Sequence, residues 1–233
     1  MPGAGLSAVA VTISVVIPVL HEQERINTLI QQLRHQEQGC EIIVVDGDPA
    51  GSTISVITDP AVICLEAPKG RGMQLAAGSA SATGEVILML HADTELPANG
   101  LGLVVDAVRK GADWGAFRLG IAGRGIGYRL IERMVDLRCR LFSLPYGDQA
   151  IFVTRARLLL AGGIPQIPLM EDVALVRSLT QQCEPCKLLP RRVLTSPRRW
   201  QKDGILKRTF KNWWLLARYL AGADPVDLVK EYR

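Results

Sequence analysis

The stretch that decides the fold runs from Ile13 to Asp46 and reads ISVVIPVLHEQERINTLIQQLRHQEQGCEIIVVD. Its first part is β-branched and apolar, which predicts a buried strand ending at Pro18. Apolar residues then recur at helical spacing from Ile26 to Leu33, and Glu41–Val45 forms a second apolar run. A strand, a helix and a strand within about 35 residues make a βαβ unit, so the two strands should be parallel.

The alternation of strand and helix continues along the rest of the chain. Further strands are predicted at 63–65, 85–90, 114–121, 149–154 and 188–194, and further helices at 72–82, 101–108, 126–142, 155–161, 171–182 and 205–220. This order predicts an α/β fold, a Rossmann-like and mainly parallel sheet flanked by helices, with a C-terminal helical extension.

The chain contains no internal repeat and no low-complexity linker, so we expect one domain over 1–233. Within it we expect a nucleotide-sugar half at 1–95, an acceptor half at 96–200 and a C-terminal helix at 201–233. The 233 residues are 48% hydrophobic and 21% charged, a globular balance, and the net charge of +4 does not indicate a nucleic-acid partner.

The cysteines and the N-terminal segment lead to two further expectations. Five scattered cysteines do not form a disulfide framework, and the C-x-x-C of Cys183 and Cys186 lacks further zinc ligands nearby, so we expect a structural role. No Lys or Arg precedes Arg25, and the apolar run from Val9 to Leu20 is too short to span a membrane. We therefore expect a cytoplasmic enzyme.

Polar clusters follow three of the predicted strands. His21-Glu22 follows the first strand, Asp46-Gly47-Asp48 the second, and His91-Ala92-Asp93 the strand EVILML. Ligands bind at the C-terminal ends of parallel strands, and carboxylates gathered there repel one another unless a cation or a ligand is bound. The clusters favour a metal-nucleotide site, although each Asp taken alone could merely cap a turn.

A fourth cluster, Lys69-Gly70-Arg71-Gly72, opens a predicted helix. Glycine lets the backbone approach a ligand, and cations at a helix N-terminus can meet phosphate. The alternative interpretation is a surface turn.

Five segments, taken in order, resemble the motifs of family 2 glycosyltransferases with the GT-A fold. They are SVVIPVLHEQERI, EIIVVDGDPAGS, KGRGMQLAAGSASATGEVILMLHADTEL, YGDQAIFV and IPLMEDVALVRSL. The sequence is most similar to the group of arsenosugar-biosynthesis-associated glycosyltransferases, which shares L-H-A-D-T, G-D-Q, M-E-D-V and S-x-R-R-W. The resemblance covers roughly residues 12–200 and implies transfer of a sugar from a nucleotide-sugar donor, with UDP the usual nucleotide.

The resemblance implies a role for each matching residue of the donor half. Pro18 and Glu22 match the loop that lines the nucleotide, and Asp46 matches the aspartate that bonds the base. Lys69 and Arg71 match the stretch near the ribose and diphosphate. Asp93 matches the last residue of Asp-x-Asp, which holds Mg²⁺ or Mn²⁺ against the diphosphate. His91 stands where most members have the first Asp, and it could ligate Mn²⁺ or hydrogen-bond the ribose.

The resemblance also implies roles in the acceptor half. Asp172 matches the general base and Glu171 its neighbour, in place of a plain helix cap. Asp148 and Gln149 match an acceptor-side motif. Ser196-Pro197-Arg198-Arg199-Trp200 resembles the Q-x-x-R-W of processive relatives with Ser in place of Gln, which favours transfer of a single sugar. Arg199 could hold the diphosphate and Trp200 could stack on a sugar of the small-molecule or lipid acceptor.

The C-terminal tract from Lys187 to Lys211 is basic and is followed by Trp213, Trp214 and Tyr219. Such a helix could lie on the inner face of an anionic membrane, but packing on the domain is favoured. Two other functions stay open. A nucleotidyltransferase would need a Gly-rich loop after the first strand, and PVLHEQER is not one. A non-catalytic nucleotide-sugar-binding or membrane-docked protein is supported by His91.

Overall fold

The computed structural model describes residues 11–182 and 185–232, without the side chains of residues 199 and 206. The strands are β1 (Ile13–Val19), β2 (Glu41–Asp46), β3 (Ile63–Glu66), β4 (Val86–Met89), β5 (Thr94–Glu95), β6 (Trp114–Ile121), β7 (Phe152–Thr154) and β8 (Lys187–Thr195). The helices are α1 (Ile26–Arg34), α2 (Arg71–Ser81), α3 (Gly100–Arg109), α4 (Ile126–Phe142), α5 (Arg155–Leu160), α6 (Glu171–Gln182), α7 (Arg198–Asp203), α8 (Ile205–Leu220) and α9 (Pro225–Tyr232).

The strands form one sheet in the order β3-β2-β1-β4-β7-β6-β8-β5. Strands β3, β2, β1 and β4 are parallel, as the βαβ pattern predicts. Strand β7 is antiparallel to both β4 and β6, and β5 is antiparallel to β8. The predicted α/β sheet with flanking helices is confirmed, and its second half is mixed.

The antiparallel β7 has a direct consequence for the site. Its first residue, Phe152, pairs with Leu88 near the end of β4. The chain just before β7 therefore lies at the rim where β4 ends. That chain is the 3-10 turn Gly147–Gln149, which takes the place of the first part of the strand predicted at 149–154.

The sequence analysis did not predict three short elements, namely β5, α7 and α9. These elements contain two, six and eight residues, respectively. Such lengths are too short for a hydrophobic period to be recognised in the sequence. Two of them, α7 and α9, contribute residues to the cleft described below, so the sequence did not predict that part of its lining.

Each face of the sheet carries its own apolar core. Val15 and Ile17 face α1 and α3, whereas the intervening Val16 faces α2 and α6. This follows from the alternation of side chains along a strand. Both clusters are almost wholly buried, which explains why the strands read as continuous apolar runs.

Helix α4 is attached to the sheet by buried charged side chains as well as by the apolar contacts of Tyr128 with Leu119 and Ile121. Its buried residues include Glu132 and Asp136. Asp136 accepts hydrogen bonds from Arg118 on β6 and from Arg192 on β8, with Arg192 Nη2 at 2.6 Å. Burial alone would raise the pKa of Asp136, but the two guanidinium groups hold it below its ordinary value.

The outer face of α4 is apolar and lies in water. Its exposed large apolar residues are Ile126, Leu130, Met134, Leu137, Leu141 and Phe142. A helix on the surface of a globular domain normally has the reverse arrangement. An exposed apolar face of this size indicates an interaction surface.

We expect Gly72→Ala to destabilise the fold. A Cβ at Gly72 would lie 2.5 Å from the carbonyl oxygen of Pro165 and 2.8 Å from that of Ile167, both of them backbone atoms. Overpacking of this kind costs about 1–3 kcal/mol. Urea denaturation should show the loss. Gly39→Ala is the matched control, because nothing lies within 4 Å of its Cβ position. Equal midpoints for both variants would contradict the close packing of α2.

Candidate active site

The cleft at the end of β4 collects side chains from both halves of the chain. It is lined by Arg71, His91, Asp93, Tyr146, Asp148, Leu169, Met170, Asp172, Val173, Thr195, Ser196, Trp200, Arg208, Asn212, Leu215, Leu216 and Tyr232. Its volume of about 120 Å³ is below the ~300–1,000 Å³ of typical ligand pockets. A ligand that fills a typical pocket would therefore extend beyond this cleft.

The C-terminal ends of β1 and β2 are tied together by Gln74 of α2. Its side-chain Nε2 donates to the carbonyl oxygens of Val19 at 2.7 Å and Val45 at 2.8 Å. Gln74 is only 3% exposed. Sequence reasoning missed this residue, and the available signal was a polar side chain on the inner face of a helix of small residues.

Asp46 organises the loop that follows β2. It is fully buried, and its two carboxylate oxygens accept the backbone N–H groups of Asp48, Thr53 and Ile54 at 2.8–3.2 Å. The base contact implied by the family resemblance would have to use the remaining lone pairs or a shift of this loop. That role of Asp46 stays a prediction.

The remaining donor-side residues lie in different environments. Pro18 is buried within β1, one residue before its end, and does not line the cleft. Lys69 is exposed just before α2. Glu22 lies at the rim, where its Oε2 is 3.6 Å from Nη2 of Arg198.

Arg71 is held by an ion pair across the base of the cleft. Its Nε lies 2.8 Å from Oε1 of Glu171, which is 2% exposed. Burial raises the pKa of Glu171 to about 7 even though Arg71 opposes the shift. The pair joins the start of α2 to the start of α6, so both residues shape the site from beneath.

Asp172, the next residue, faces the cleft. Its Oδ2 accepts the backbone N–H of Gly147 at 2.8 Å, and its Oδ1 accepts that of Val173 at 2.8 Å. Met170, two residues before Asp172, has a φ of 65°, which residues other than glycine rarely adopt. Such strain concentrates at functional sites.

Gly147 is the point where the two halves of the site meet. A Cβ at this position would lie 3.0 Å from Nε2 of His91 and 3.2 Å from Oδ2 of Asp172. The predicted metal-side residue and the predicted base therefore flank the same glycine.

Asp148 is half-buried in the wall of the cleft. Its Oδ1 has no hydrogen-bond partner among the described residues. Burial raises the pKa of Asp148 to about 6, with further upward contributions from Asp172 and Asp93, while Arg138 opposes the shift. A carboxyl group of this kind at the edge of a cleft is a functional-site candidate.

The adjacent Gln149 has a structural position instead. It is fully buried, its Nε2 donates to the carbonyl of Phe117 at 2.9 Å, and its Oε1 accepts the N–H of Tyr146 at 3.1 Å. It shapes the 3-10 turn and does not line the cleft. Its predicted contact with an acceptor stays a prediction that this arrangement does not favour.

Asp93 faces Arg198, a residue that sequence reasoning did not single out. Nη2 of Arg198 lies 4.0 Å from Oδ2 of Asp93, and the same atom approaches Glu22. The side chain of Arg199 lies outside the described part of the structure, so its predicted diphosphate contact is not tested. Trp200 lines the cleft and packs edge-on against Tyr128, with ring centroids 6.4 Å apart.

The C-terminal helices form the outer wall of the cleft. Leu215 packs with Leu169 and Leu228, so α8 and α9 are held against the loop before α6. This confirms that the C-terminal helix packs on the domain. Arg208 is 7% exposed and donates to Tyr232, and both side chains line the cleft.

Two features of the described residues concern the predicted metal site and the predicted membrane contact. No group of three or more His, Cys, Asp or Glu side chains among them is arranged to hold a metal ion. Within the same residues, every helix is too short or too polar to cross a membrane. Cys186 is half-buried, and Cys183 lies outside the described residues.

This architecture is that of GT-A glycosyltransferases. The chain superimposes on TarS from S. aureus in complex with UDP-GlcNAc with a TM-score of 0.61 and 15% identity, over 79% of this chain and 58% of that one. It superimposes on the mannosyltransferase PcManGT from Pyrobaculum calidifontis, in complex with GDP-Man and Mn²⁺, with a TM-score of 0.61 and 16% identity, over 94% and 68% of the two chains.

The chain belongs to glycosyl transferase family 2, whose family model matches residues 14–154. A dolichol-phosphate mannosyltransferase from Pyrococcus furiosus is 28% identical over 109 residues, which are 43% of this chain. The match covers 31% of that relative, so this chain corresponds to less than a third of its length.

We expect Asp148→Asn to change how stability depends on pH. A carboxyl group whose pKa rises from 3.8 to about 6 on folding binds more protons in the folded state, so it lowers stability as pH rises through that window. Asn has no such proton, and the variant should lose less stability between about pH 4 and 6.

Melting temperatures across that range test this expectation. Asp227→Asn is the control, because the Lys230 hydrogen bond lowers the pKa of Asp227 and its effect has the opposite sign. Parallel curves for Asp148→Asn and the parent protein would show that Asp148 does not titrate in this range.

Proposed function

We propose that this protein transfers a sugar, with inversion, from a nucleoside-diphosphate sugar to an acceptor hydroxyl, assisted by a divalent cation. The observation that carries the proposal is the meeting of His91 and Asp172 across Gly147, at the end of β4 in a family 2 fold. Ligands of parallel sheets bind at this end of the strands.

UDP is the proposed nucleotide. The proposal is supported by the family resemblance of the Asp46 loop and by the UDP-GlcNAc bound to TarS. The GDP-Man bound to PcManGT makes a guanine nucleotide the alternative. The rim at the ends of β1 and β2, which Gln74 ties together, is the surface on which either base would lie.

The residues present fit a Mg²⁺ or Mn²⁺ ion that is held largely by its substrate. Mg²⁺ is usually bound through one or two carboxylates together with substrate phosphates and water, so a cluster of three protein ligands is not needed. Asp93 would hold the ion, with His91 beside it in the cleft and the unpartnered Oδ1 of Asp148 in its wall. When bound, the ion would neutralise charge that develops on the leaving diphosphate.

Asp172 is the proposed general base. The acceptor oxygen forms a bond to the anomeric carbon, the bond from that carbon to the diphosphate breaks, and the hydroxyl proton passes to Asp172. The two backbone N–H groups fix the orientation of its carboxylate. Glu171 acts as a positioning residue, because its ion pair with Arg71 fixes the first turn of α6.

Two finer assignments are also proposed. The L-H-A-D-T, G-D-Q, M-E-D-V and S-x-R-R-W pieces support membership of the arsenosugar-associated group. Peripheral membrane contact through α8 is supported by its outward-facing Phe210 and Trp214, which are 74% and 54% exposed, and by the nearby Lys207 and Lys211.

A non-catalytic nucleotide-sugar-binding protein is the second candidate. It is favoured by His91 at a position where most relatives have an aspartate. Release of UDP from a UDP-sugar during turnover with an acceptor extract would eliminate it.

We expect Asp172→Asn to lower kcat by about 10²–10⁴-fold, the usual contribution of a general base. Donor affinity should stay the same, because Asp172 lies on the acceptor side. Asn has a single side-chain oxygen and can keep only one of the two N–H bonds, so stability should fall by about 1–3 kcal/mol. Steady-state kinetics beside a melting curve separate the two effects.

Asp224→Asn is the matched control. Asp224 accepts a backbone N–H at the start of α9, at 2.8 Å from Val226 N, but does not line the cleft. Asn keeps an oxygen for this single bond, so the control should keep both its stability and its kcat. A near-normal kcat for Asp172→Asn would remove Asp172 from the chemistry.

We expect donor binding to depend on Asp93. UDP-sugars with Mn²⁺ should raise the melting temperature of the parent protein, since a ligand of the folded state stabilises it. Asp93→Ala should abolish the part of this shift that EDTA removes, and His91→Ala should reduce it less. The same melting-temperature measurement is made with GDP- and dTDP-sugars. A shift that is the same with Mn²⁺ and with EDTA in the parent would refute the metal's role.

A further inference from the structure

Helix α8 presents two polar side chains to the cleft. Arg208 and Asn212 lie four residues apart and both line it, so they share one face of the helix with Leu215. We call these two residues the α8 pair. Leu215 packs against Leu169, three residues before Asp172. The α8 pair therefore lies on the side of the proposed base, in a part of the chain beyond the residues that the family model matches.

The charge of Arg208 is already balanced. Its side chain is buried, its Nη1 donates to Oδ2 of Asp203 at 3.2 Å, and its Nη2 donates to the hydroxyl of Tyr232. A guanidinium group has five N–H donors, so these two hydrogen bonds leave others for a ligand. Because Asp203 supplies the counter-charge, Arg208 can donate to an uncharged oxygen without requiring an anion.

The other charges on this side of the cleft are mainly negative. Arg71 is held in its ion pair, whereas Asp148 and Asp172 form no ion pair with a described residue. Arg138 offsets part of this charge, but its guanidinium lies over the Tyr146 ring and not in the lining of the cleft. A divalent ion and the diphosphate of a nucleotide sugar cancel in charge. An anionic acceptor would therefore be repelled by the two carboxylates.

Aromatic rings stand beside the α8 pair. Tyr146, Trp200 and Tyr232 all line the cleft. Such rings combine a large apolar surface with a polar group at one end. The amide of Asn212, which is half-buried, can both donate and accept hydrogen bonds. Together these groups suit a molecule with apolar ring faces and hydroxyl groups at its edges.

We propose that the α8 pair selects an uncharged, polyhydroxylated acceptor, a sugar or a glycoside, by hydrogen bonds to hydroxyl groups other than the attacking one. This inference rests on the proposed function and names the class of its acceptor. Arg208 donates to the acceptor's oxygens, and Asn212 fixes the direction of a neighbouring hydroxyl. Asp148 and Asp172 exclude acids, and Asp172 remains available to take the proton of the attacking hydroxyl.

Acceptors that differ only in charge test the selection. Saturation-transfer NMR with UDP and Mg²⁺ compares the methyl glycosides of glucose, galactose and mannose with the corresponding methyl uronides. The measurement is made at pH 8, where Asp148 is ionised because its pKa is about 6. At least one glycoside should bind, and its uronide should bind roughly tenfold more weakly. Equal or tighter binding of the uronide, or no binding of any glycoside, would overturn the proposal.

Removing one negative charge should weaken this discrimination. Asp148→Asn should raise uronide affinity by roughly tenfold, since it removes a like charge from the cleft. Asp227→Asn is the control, because Asp227 is an exposed acid of α9 that does not line the cleft. It should leave the preference unchanged. An unchanged preference in Asp148→Asn as well would remove the electrostatic basis of the selection.

Two arginines of α8 provide the matched variants for the hydrogen bonds. Both tie α8 to α9, Arg208 through Tyr232 and Arg218 through Glu231, but of the two only Arg208 lines the cleft. Arg208→Lys keeps the charge beside Asp203 and loses the planar set of donors. It should raise the KM of the best glycoside about tenfold and leave the donor KM unchanged. Arg218→Lys should change neither.

Asn212→Leu repeats the test without altering the contact with α9. It should raise the acceptor KM about fivefold, the usual effect of one lost hydrogen bond, with little change in kcat. Lys211→Ala is its control, because Lys211 is the adjacent residue of α8 and does not line the cleft.

The remaining outcomes each exclude the proposal. A higher donor KM in Arg208→Lys, with the acceptor KM unchanged, would assign Arg208 to the diphosphate. Equal losses in Arg208→Lys and Arg218→Lys would show that only the packing of α8 on α9 matters. UDP-sugar binding by the parent protein, measured by melting temperature, separates the two levels of inference. Its absence would refute the proposed function, whereas its presence together with a preference for uronides would refute the acceptor class alone.

Discussion

The ion pair between Arg71 and Glu171 is the contact on which the geometry of the site depends. It joins the first turn of α2 to the first turn of α6. Glu171 is the buried partner, whereas the side chain of Arg71 is 31% exposed, so losing Arg71 would leave a buried carboxyl group that becomes neutral by binding a proton. Because Asp172 follows Glu171 directly, the pair also sets where the proposed base stands. From the sequence, Arg71 is predicted to lie near the diphosphate and Glu171 to stand beside the base. Their contact with each other is visible only in the folded structure.

The sequence predicts the framework because the framework is periodic. The strands from β1 to β4 and the longer helices recur with clear spacing, and α4, α6 and α8 begin and end where the pattern places them. Strand direction is not periodic, and β7 runs antiparallel because the chain enters it at the rim beside β4. The short β5, α7 and α9 carry no readable period, although α7 and α9 contribute Trp200 and Tyr232 to the cleft.

The site is predictable in part, for a related reason. Composition and motif order place His91, Asp93 and Asp172 at strand and helix ends, and the structure gathers all three in one cleft. What a motif cannot reveal is whether a polar side chain already has partners. Asp46 and Gln149 are occupied by backbone groups several to many residues away, and Arg198 acquires its position from the β5–β8 pairing. Hydrogen bonds between distant segments are a property of the folded chain alone.

The inverted attachment of α4 has a further consequence for the heat capacity of the protein. Unfolding raises heat capacity mainly by transferring apolar surface into water. The outer face of α4 is in water before and after unfolding, while the groups that anchor the helix, Glu132 and Asp136, are polar and lower the heat capacity when exposed. The outer face of this helix therefore adds little curvature to the dependence of stability on temperature, and the contribution of α4 comes from its inner apolar residues alone.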